Sequence, residues 1–207
     1  MFIGKYNKSV ILTYLGALAA IMGITMAINN YRTGAIICLI IAGICDLFDG
    51  KVARMCKNRT EEDKEFGVQI DSLTDMISFV ALPVVISCSL GLNKWYCGLV
   101  YGIFTICGII RLGFFNLNSN TNGPVKYYKG LPVTSTAFIF PALYLLGYII
   151  KYNIIFKVIF FVAFLVIACL FILNFKLRKP KKNWWYIFCS SLALIATITL
   201  LCLRFCR

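Results

Sequence analysis

Apolar segments about twenty residues long recur seven times along the sequence, near 9–28, 34–54, 68–90, 95–115, 132–150, 154–175 and 184–203. Each is long enough to cross roughly 30 Å of hydrocarbon as a helix. In that medium every backbone N–H and C=O must be paired within the protein, so repeated segments of this length are expected to be helical. With 60% hydrophobic and 14% charged residues, the chain also lacks the polar surface that a soluble domain of its length requires. The expected fold is therefore all-α, a polytopic transmembrane helical bundle. It forms a single membrane domain over 1–207, with six spans over about 9–175 and an additional C-terminal segment over about 184–203. Lys5 and Lys8 ahead of an apolar run would also suit a cleavable signal peptide. The run from Val10 to Ile28 is longer than a typical signal core, and it is read as the first helix.

A formal charge of +13 raises nucleic acid as a partner, but the distribution of the charge argues for membrane topology instead. Lys5 and Lys8, then Lys51, Arg54, Lys57, Arg59 and Lys64, then Lys126 and Lys129, then Lys176, Arg178, Lys179, Lys181 and Lys182 fall in alternate connections. The other connections hold Arg32, Lys94 and Lys151. By the positive-inside rule the N-terminus and the loops near 51–67, 116–131 and 176–183 face the cytoplasm. The excess charge then meets anionic lipid headgroups, and no nucleic-acid surface is expected.

The sequence has no histidine, which removes imidazole bases, imidazole metal ligands and Ser-His triads. Its ten cysteines form no C-x-x-C pair, and nearly all, such as Cys38, Cys45, Cys88 and Cys107, lie within apolar spans. They read as small packing residues, and zinc is not expected.

All eight acidic residues lie between positions 46 and 75, so any acid, base or hard-metal chemistry is confined to that window. Glu61, Glu62, Asp63 and Glu65 crowd a polar, basic stretch and read as a solvated loop. The aspartates differ in setting: Asp46 and Asp49 close the second apolar run, and Asp71 and Asp75 open the third. Helical spacing puts Asp46, Asp49, Gly50 and Ala53 on one face, and Gly67, Asp71, Asp75 and Ser78 on another. Antiparallel packing of the two helices would gather four carboxylates at one depth, near the cytoplasmic interface. Salt bridges to Lys51 or Arg54, or snorkelling, could relieve one or two of them. Relief of all four calls for divalent cations, and an oxygen-only donor set suits Mg²⁺, Mn²⁺ or Ca²⁺. Two such ions make a clamp for a phosphoryl or pyrophosphoryl group. Gly50, Ala53 and Gly67 leave room for a ligand to approach the backbone, or for the helices to pack tightly. A cation pathway through the aspartates is the alternative from another functional class.

The window reads Asp46-Leu-Phe-Asp49-Gly50-Lys-Val-Ala53-Arg54, then Gly67-Val-Gln-Ile-Asp71-Ser-Leu-Thr-Asp75. It resembles the signature of the CDP-alcohol phosphatidyltransferases, D-x-x-D-G-x-x-A-R followed by G-x-x-x-D-x-x-x-D, at every fixed position. The resemblance implies that Asp46 and Asp71 bridge two metals, that Asp49 binds one of them, and that Asp75 binds the other and acts as base toward an acceptor alcohol. It also implies that Gly50, Arg54 and Thr60 contact the CDP moiety, and that the protein is a homodimer with its site open to the cytoplasm and the inner leaflet. The Asp71–Phe79 segment, Arg111-Leu-Gly-Phe-Phe-Asn116 and Tyr128-Lys-Gly-Leu-Pro-Val-Thr-Ser-Thr-Ala137 resemble the phosphatidylserine synthase branch. That branch implies transfer of the phosphatidyl group of CDP-diacylglycerol to L-serine; glycerol 3-phosphate or an inositol phosphate would be the rival acceptors. Gln69, Val80 and Phe114 depart from the branch, which usually carries Glu, Gly and Arg there. Arg111 within an apolar span reads either as snorkelling to the interface or as a clamp on a phosphate or the serine carboxylate, with Asn116 and Lys129 able to join it.

Overall fold

The computed structural model describes residues 10–56, 59–119, 127–178, 195 and 197–202. Helix α1 (Ile11–Ile28) is followed by α2 (Arg32–Met55), α3 (Glu61–Asp75), a π-helical stretch (Met76–Ala81), α4 (Leu82–Ser89), α5 (Trp95–Ser119), α6 (Thr136–Ile150) and α7 (Ile154–Ile172). Among the described residues, five helical segments, Ile11–Ile28, Glu61–Ser89, Trp95–Leu117, Val133–Ile150 and Ile154–Ile172, are long and apolar enough to cross a bilayer. At 24 residues, α2 is about 36 Å long and packs against α1 and α6. Two short strands, β1 (Tyr127–Lys129) and β2 (Lys176–Arg178), pair antiparallel. Lys5 and Lys8 lie outside the described residues, as does most of the expected seventh span at 184–203.

Small residues set how closely the first helices approach. On α1 the buried positions are Thr13, Gly16, Ala20, Gly23 and Ala27, while Ile11, Leu15, Leu18, Ile21 and Met22 are exposed. Large residues outward and small residues inward is the pattern of a lipid-facing helix, because lipid solvates Leu as well as a protein core does and close backbone approach is the gain. A Cβ on Gly23 would stand 2.9 Å from the Cβ of Cys38, and one on Gly43 would stand 2.6 Å from the Cβ of Ala137. Those two glycines let α1 close on α2, and α2 close on α6.

Beside this tight pair, α5, α6 and α7 meet through aromatic rings. Phe164 lies with its ring centroid 5.0 Å from Tyr101, 5.0 Å from Phe104 and 4.7 Å from Phe140. On α7 the buried positions Phe156, Phe160, Phe164 and Phe171 form one stripe at helical spacing.

One correction to the sequence reading concerns the acidic stretch at 61–65. It is the first turn of α3 and not a loop. Thr60 caps this helix: its Oγ1 accepts from the Asp63 N–H at 3.2 Å while the Asp63 carboxylate accepts from the Thr60 N–H at 3.0 Å. The three acids of the first turn also favour that end, where unpaired N–H groups leave partial positive charge.

The π-helical stretch has a local cause. Pro83 brings no N–H to the carbonyl of Phe79 four residues back, and its ring crowds that carbonyl. The helix is widened just before the proline, and the Phe79 oxygen instead accepts from the Thr136 hydroxyl of α6 at 2.9 Å. The rod from Glu61 to Ser89 is therefore tied to α6 immediately beyond the aspartates.

Candidate active site

The α2–α3 hairpin brings the acidic ends of two helices together. Asp46, Asp49 and Asp71 each present a carboxylate oxygen within 4.8 Å of the others. The same small cavity is lined by Asp75, Ser78, Thr74 and Cys45, and by Thr13 and Gly16 from α1. Asp75 is 7% exposed. Pairwise repulsion among ionised carboxylates at this spacing is about 3 to 4 kcal/mol at an effective dielectric of 20. Arg59, between α2 and α3, gives its guanidinium to the carbonyls of Ala53 and Asp63, both at 3.3 Å, and not to these carboxylates. The donor set is all oxygen and strongly anionic, which fits hard divalent cations.

Hydroxyl groups flank the carboxylates. Thr13 donates its hydroxyl to Asp49 at 3.1 Å, so α1 forms one wall of the site. Ser72, next to Asp71, donates to Asn116 Oδ1 of α5 at 3.0 Å. Ser78 is 1% exposed, and its hydroxyl oxygen is buried with no hydrogen-bond partner. Ser78 also lines the cavity that the aspartates line.

The remaining expected site residues fall as follows. Gly50 is exposed, with no atom within 4 Å of where a Cβ would stand, so the helix surface beside Asp49 is open. Ala53 is half-buried and Arg54 is exposed in the last turn of α2. Gly67 accommodates the Arg59 guanidinium, whose Nη2 would be 2.9 Å from a Cβ there. Thr60 is occupied as a helix cap. Arg111 is buried, and its Nε donates to the Leu131 carbonyl at 2.9 Å. That carbonyl is set in place by Gly130, whose φ of +78° and close approach to the Phe171 and Leu173 oxygens leave no room for a side chain. Lys129 belongs to β1, and its side chain lies outside the described residues.

Sequence reasoning missed Thr13 and Arg59. Thr13 shares the small-residue face of α1 with Gly16 and Ala20, and its hydroxyl is the polar exception on that face. Arg59 carried no signal beyond being a cation one residue before a helix cap.

Fold and site together define an integral membrane protein with a polyacidic, cation-fitting pocket between the ends of two of its helices. The sequence model of the CDP-alcohol phosphatidyltransferase family matches residues 6–167, and the chain belongs to that family. It is 32% identical over 139 residues to the archaetidylserine synthase of Methanothermobacter thermautotrophicus, covering 67% of this chain and 58% of that protein. Against the CDP-diacylglycerol–serine O-phosphatidyltransferase of Saccharomyces cerevisiae the identity is 34% over 104 residues, 47% of this chain and 36% of that one. For the protein of the same name from Helicobacter pylori it is 36% over 111 residues, 52% of this chain and 45% of that one. These alignments span between about a third and three-fifths of the relatives' own lengths.

Proposed function

We propose that the protein transfers the phosphatidyl group of CDP-diacylglycerol to L-serine, giving phosphatidylserine and CMP. The observation that carries this reading is the convergence of Asp46, Asp49 and Asp71 within 4.8 Å around a cavity that Asp75 also lines, in a chain of this family. Serine is the acceptor that the relatives' names share.

Asp46, Asp49, Asp71 and Asp75 would hold divalent cations, two per site, with Mg²⁺ or Mn²⁺ as the suitable ions and Ca²⁺ as a further one. Such ions supply positive charge to the pyrophosphate of the donor. The chain's own groups do the rest. Gly50 and Ala53 leave backbone accessible to the nucleotide, Gly67 makes room for the Arg59 guanidinium beside it, and Arg54 stands at the exposed rim where a phosphate or cytidine would enter. Asp75 takes the proton of the serine hydroxyl, whose oxygen bonds to the phosphorus bearing diacylglycerol. The bond from that phosphorus to CMP breaks, and CMP leaves with the electron pair. Holding the two substrates in line and neutralising charge account for most of the acceleration, as in phosphoryl transfer generally. Arg111, Asn116 and Lys129 would hold the serine carboxylate or a lipid phosphate.

The protein works as a homodimer with the N-terminus and the aspartates on the cytoplasmic side. The cations of the connections support that orientation: Lys51, Arg54, Arg59 and Lys64 lie at the aspartate end, against Arg32, Lys94 and Lys151 at the other.

The test is CMP release from CDP-diacylglycerol by purified protein with Mn²⁺ or Mg²⁺, run separately with L-serine, glycerol 3-phosphate and inositol phosphate. Release with serine and formation of phosphatidylserine are expected. Release with one of the other alcohols alone would replace serine as acceptor and leave the reaction class standing. No alcohol-dependent release at all would remove both.

A further inference from the structure

A cavity lies at the end of the bundle away from the aspartates. Its volume is about 420 Å³, and it is lined by Asn30, Arg32, Asn93, Tyr152 and Lys157 together with the last turn of α4. Three tight turns converge on it, and each contributes a residue with positive φ: Asn30 at 64°, Gly91 at 88° and Tyr152 at 48°. Arg32 begins α2 and Asp46 lies fourteen residues on, so about 21 Å of helix separates them. Asp75 and Ser89 are separated by the same number of residues along the other rod.

We infer that this cavity is a binding site for a phosphate-bearing anion, held by the Arg32 guanidinium and the Lys157 ammonium. The charge balance carries the inference. Every carboxylate side chain of the chain lies between positions 46 and 75, at the far end of α2 and α3, so the two cations have no acidic side chain at their own end to pair with. The helix ends add to the field. The N-termini of α2 and α7 bring partial positive charge to the rim. The C-terminus of α4 brings carbonyls that are already occupied: those of Ile86, Ser87 and Cys88 accept from the N–H groups of Leu90, Gly91 and Leu92. Asn30 and Asn93 supply side-chain amides that can donate to phosphate oxygens. A cavity of this size accommodates a headgroup.

The depth of the cavity suits a lipid phosphate. Tyr31, Trp95 and Tyr96 are exposed at the same end, where amphipathic rings sit at the level of the headgroups. Inorganic phosphate has the same chemistry, and the two sources separate experimentally.

The experiment uses purified full-length protein in a zwitterionic detergent, with native mass spectrometry and thermal unfolding as readouts. Phosphatidylglycerol, phosphatidylcholine and inorganic phosphate are added in turn. Wild type should retain phosphatidylglycerol over phosphatidylcholine by about tenfold or more, the size two cations near a headgroup can provide. Arg32→Gln combined with Lys157→Gln should abolish that preference, whereas Lys94→Gln combined with Lys151→Gln, which removes two cations of the same end outside the cavity lining, should keep it. Stabilisation of wild type by millimolar inorganic phosphate, lost in the cavity variant, assigns the site to a free anion; its absence assigns the lipid. Equal retention of the two lipids by wild type with no stabilisation by phosphate overturns the inference, and that result needs no variant to fold. Equal loss in the two double variants overturns it as well, because general attraction to that face would then explain the binding.

Discussion

The aspartate pocket and the aromatic cluster sit in one bundle and are built on opposite terms. Around Phe164 the rings of Tyr101, Phe104, Phe140 and Phe160 meet at centroid distances between 4.7 and 6.1 Å, and each contact favours the folded chain. Around Asp71 the carboxylates of Asp46 and Asp49 lie within 4.8 Å, and each ionised pair opposes the folded chain. What holds the second region in place is borrowed: Thr13 from α1 steadies Asp49, Thr136 from α6 fixes the π-helical stretch beyond Asp75, and Asn116 from α5 takes the hydroxyl beside Asp71. The contrast teaches that the site is a strained region carried by its neighbours. Substitutions in it should cost activity while sparing stability, and substitutions in the cluster should do the reverse.

The largest effect tests the first half of that statement. Chelation with EDTA should abolish CMP release, and added Mg²⁺ or Mn²⁺ should restore it. Asp75→Asn should lower turnover by about 10³-fold, within the range lost with a general base, while the protein stays monodisperse and its helical content unchanged. Near-normal turnover in that variant would remove Asp75 from the role of base. With EDTA present, Asp71→Asn should melt above wild type because a repelling carboxylate is gone. If it melts lower, the aspartates are stabilising in the absence of metal and the contrast between the regions fails.

The second half is tested by Phe164→Ala, which should cost about 3 to 5 kcal/mol of stability, read as a fall in the unfolding midpoint. At a temperature where the variant remains folded, its turnover per molecule should stay within about twofold of wild type. A tenfold loss of turnover would show that the cluster reaches the site, with the α5 contact at Asn116 as the route. A smaller change in the same sense is expected of Thr136→Val, which unpairs the Phe79 carbonyl at a cost of about 1 kcal/mol.

The helices and the carboxylate cluster were legible because each follows from a local rule. Segment length against bilayer thickness gave the spans, and the i, i+3, i+4 spacing gave the two aspartate faces. What escaped depends on contacts between segments. Nothing near Thr13 in the sequence shows that α1 lies against Asp49, since the pairing arises from the small face of α1 closing on α2. The π-helical stretch follows from Pro83 together with a hydroxyl 53 residues further on, and periodicity alone reads straight through it. The error at 61–65 has a different origin. Charge density suggested a loop, while the Thr60–Asp63 spacing that starts a helix was already present in the same residues.

That overlooked cap supplies the finest test of the comparison. Thr60 lies at the polar edge of the site, where the family resemblance gives it to the nucleotide and the structure gives its hydroxyl to the Asp63 N–H at 3.2 Å. As a cap it should behave like a member of the packed region: Thr60→Ala should cost about 1 kcal/mol of stability and leave the KM for CDP-diacylglycerol within about twofold. Thr60→Asn, which can still accept from that N–H, should restore most of the stability, so the two substitutions together distinguish a cap from a general disturbance of the turn. If Thr60→Ala instead raises the KM several-fold with the unfolding midpoint unchanged, the hydroxyl leaves Asp63 for the nucleotide during turnover. The first turn of α3 would then belong to the strained region, and the boundary between the two regions would move one helical turn toward the solvent.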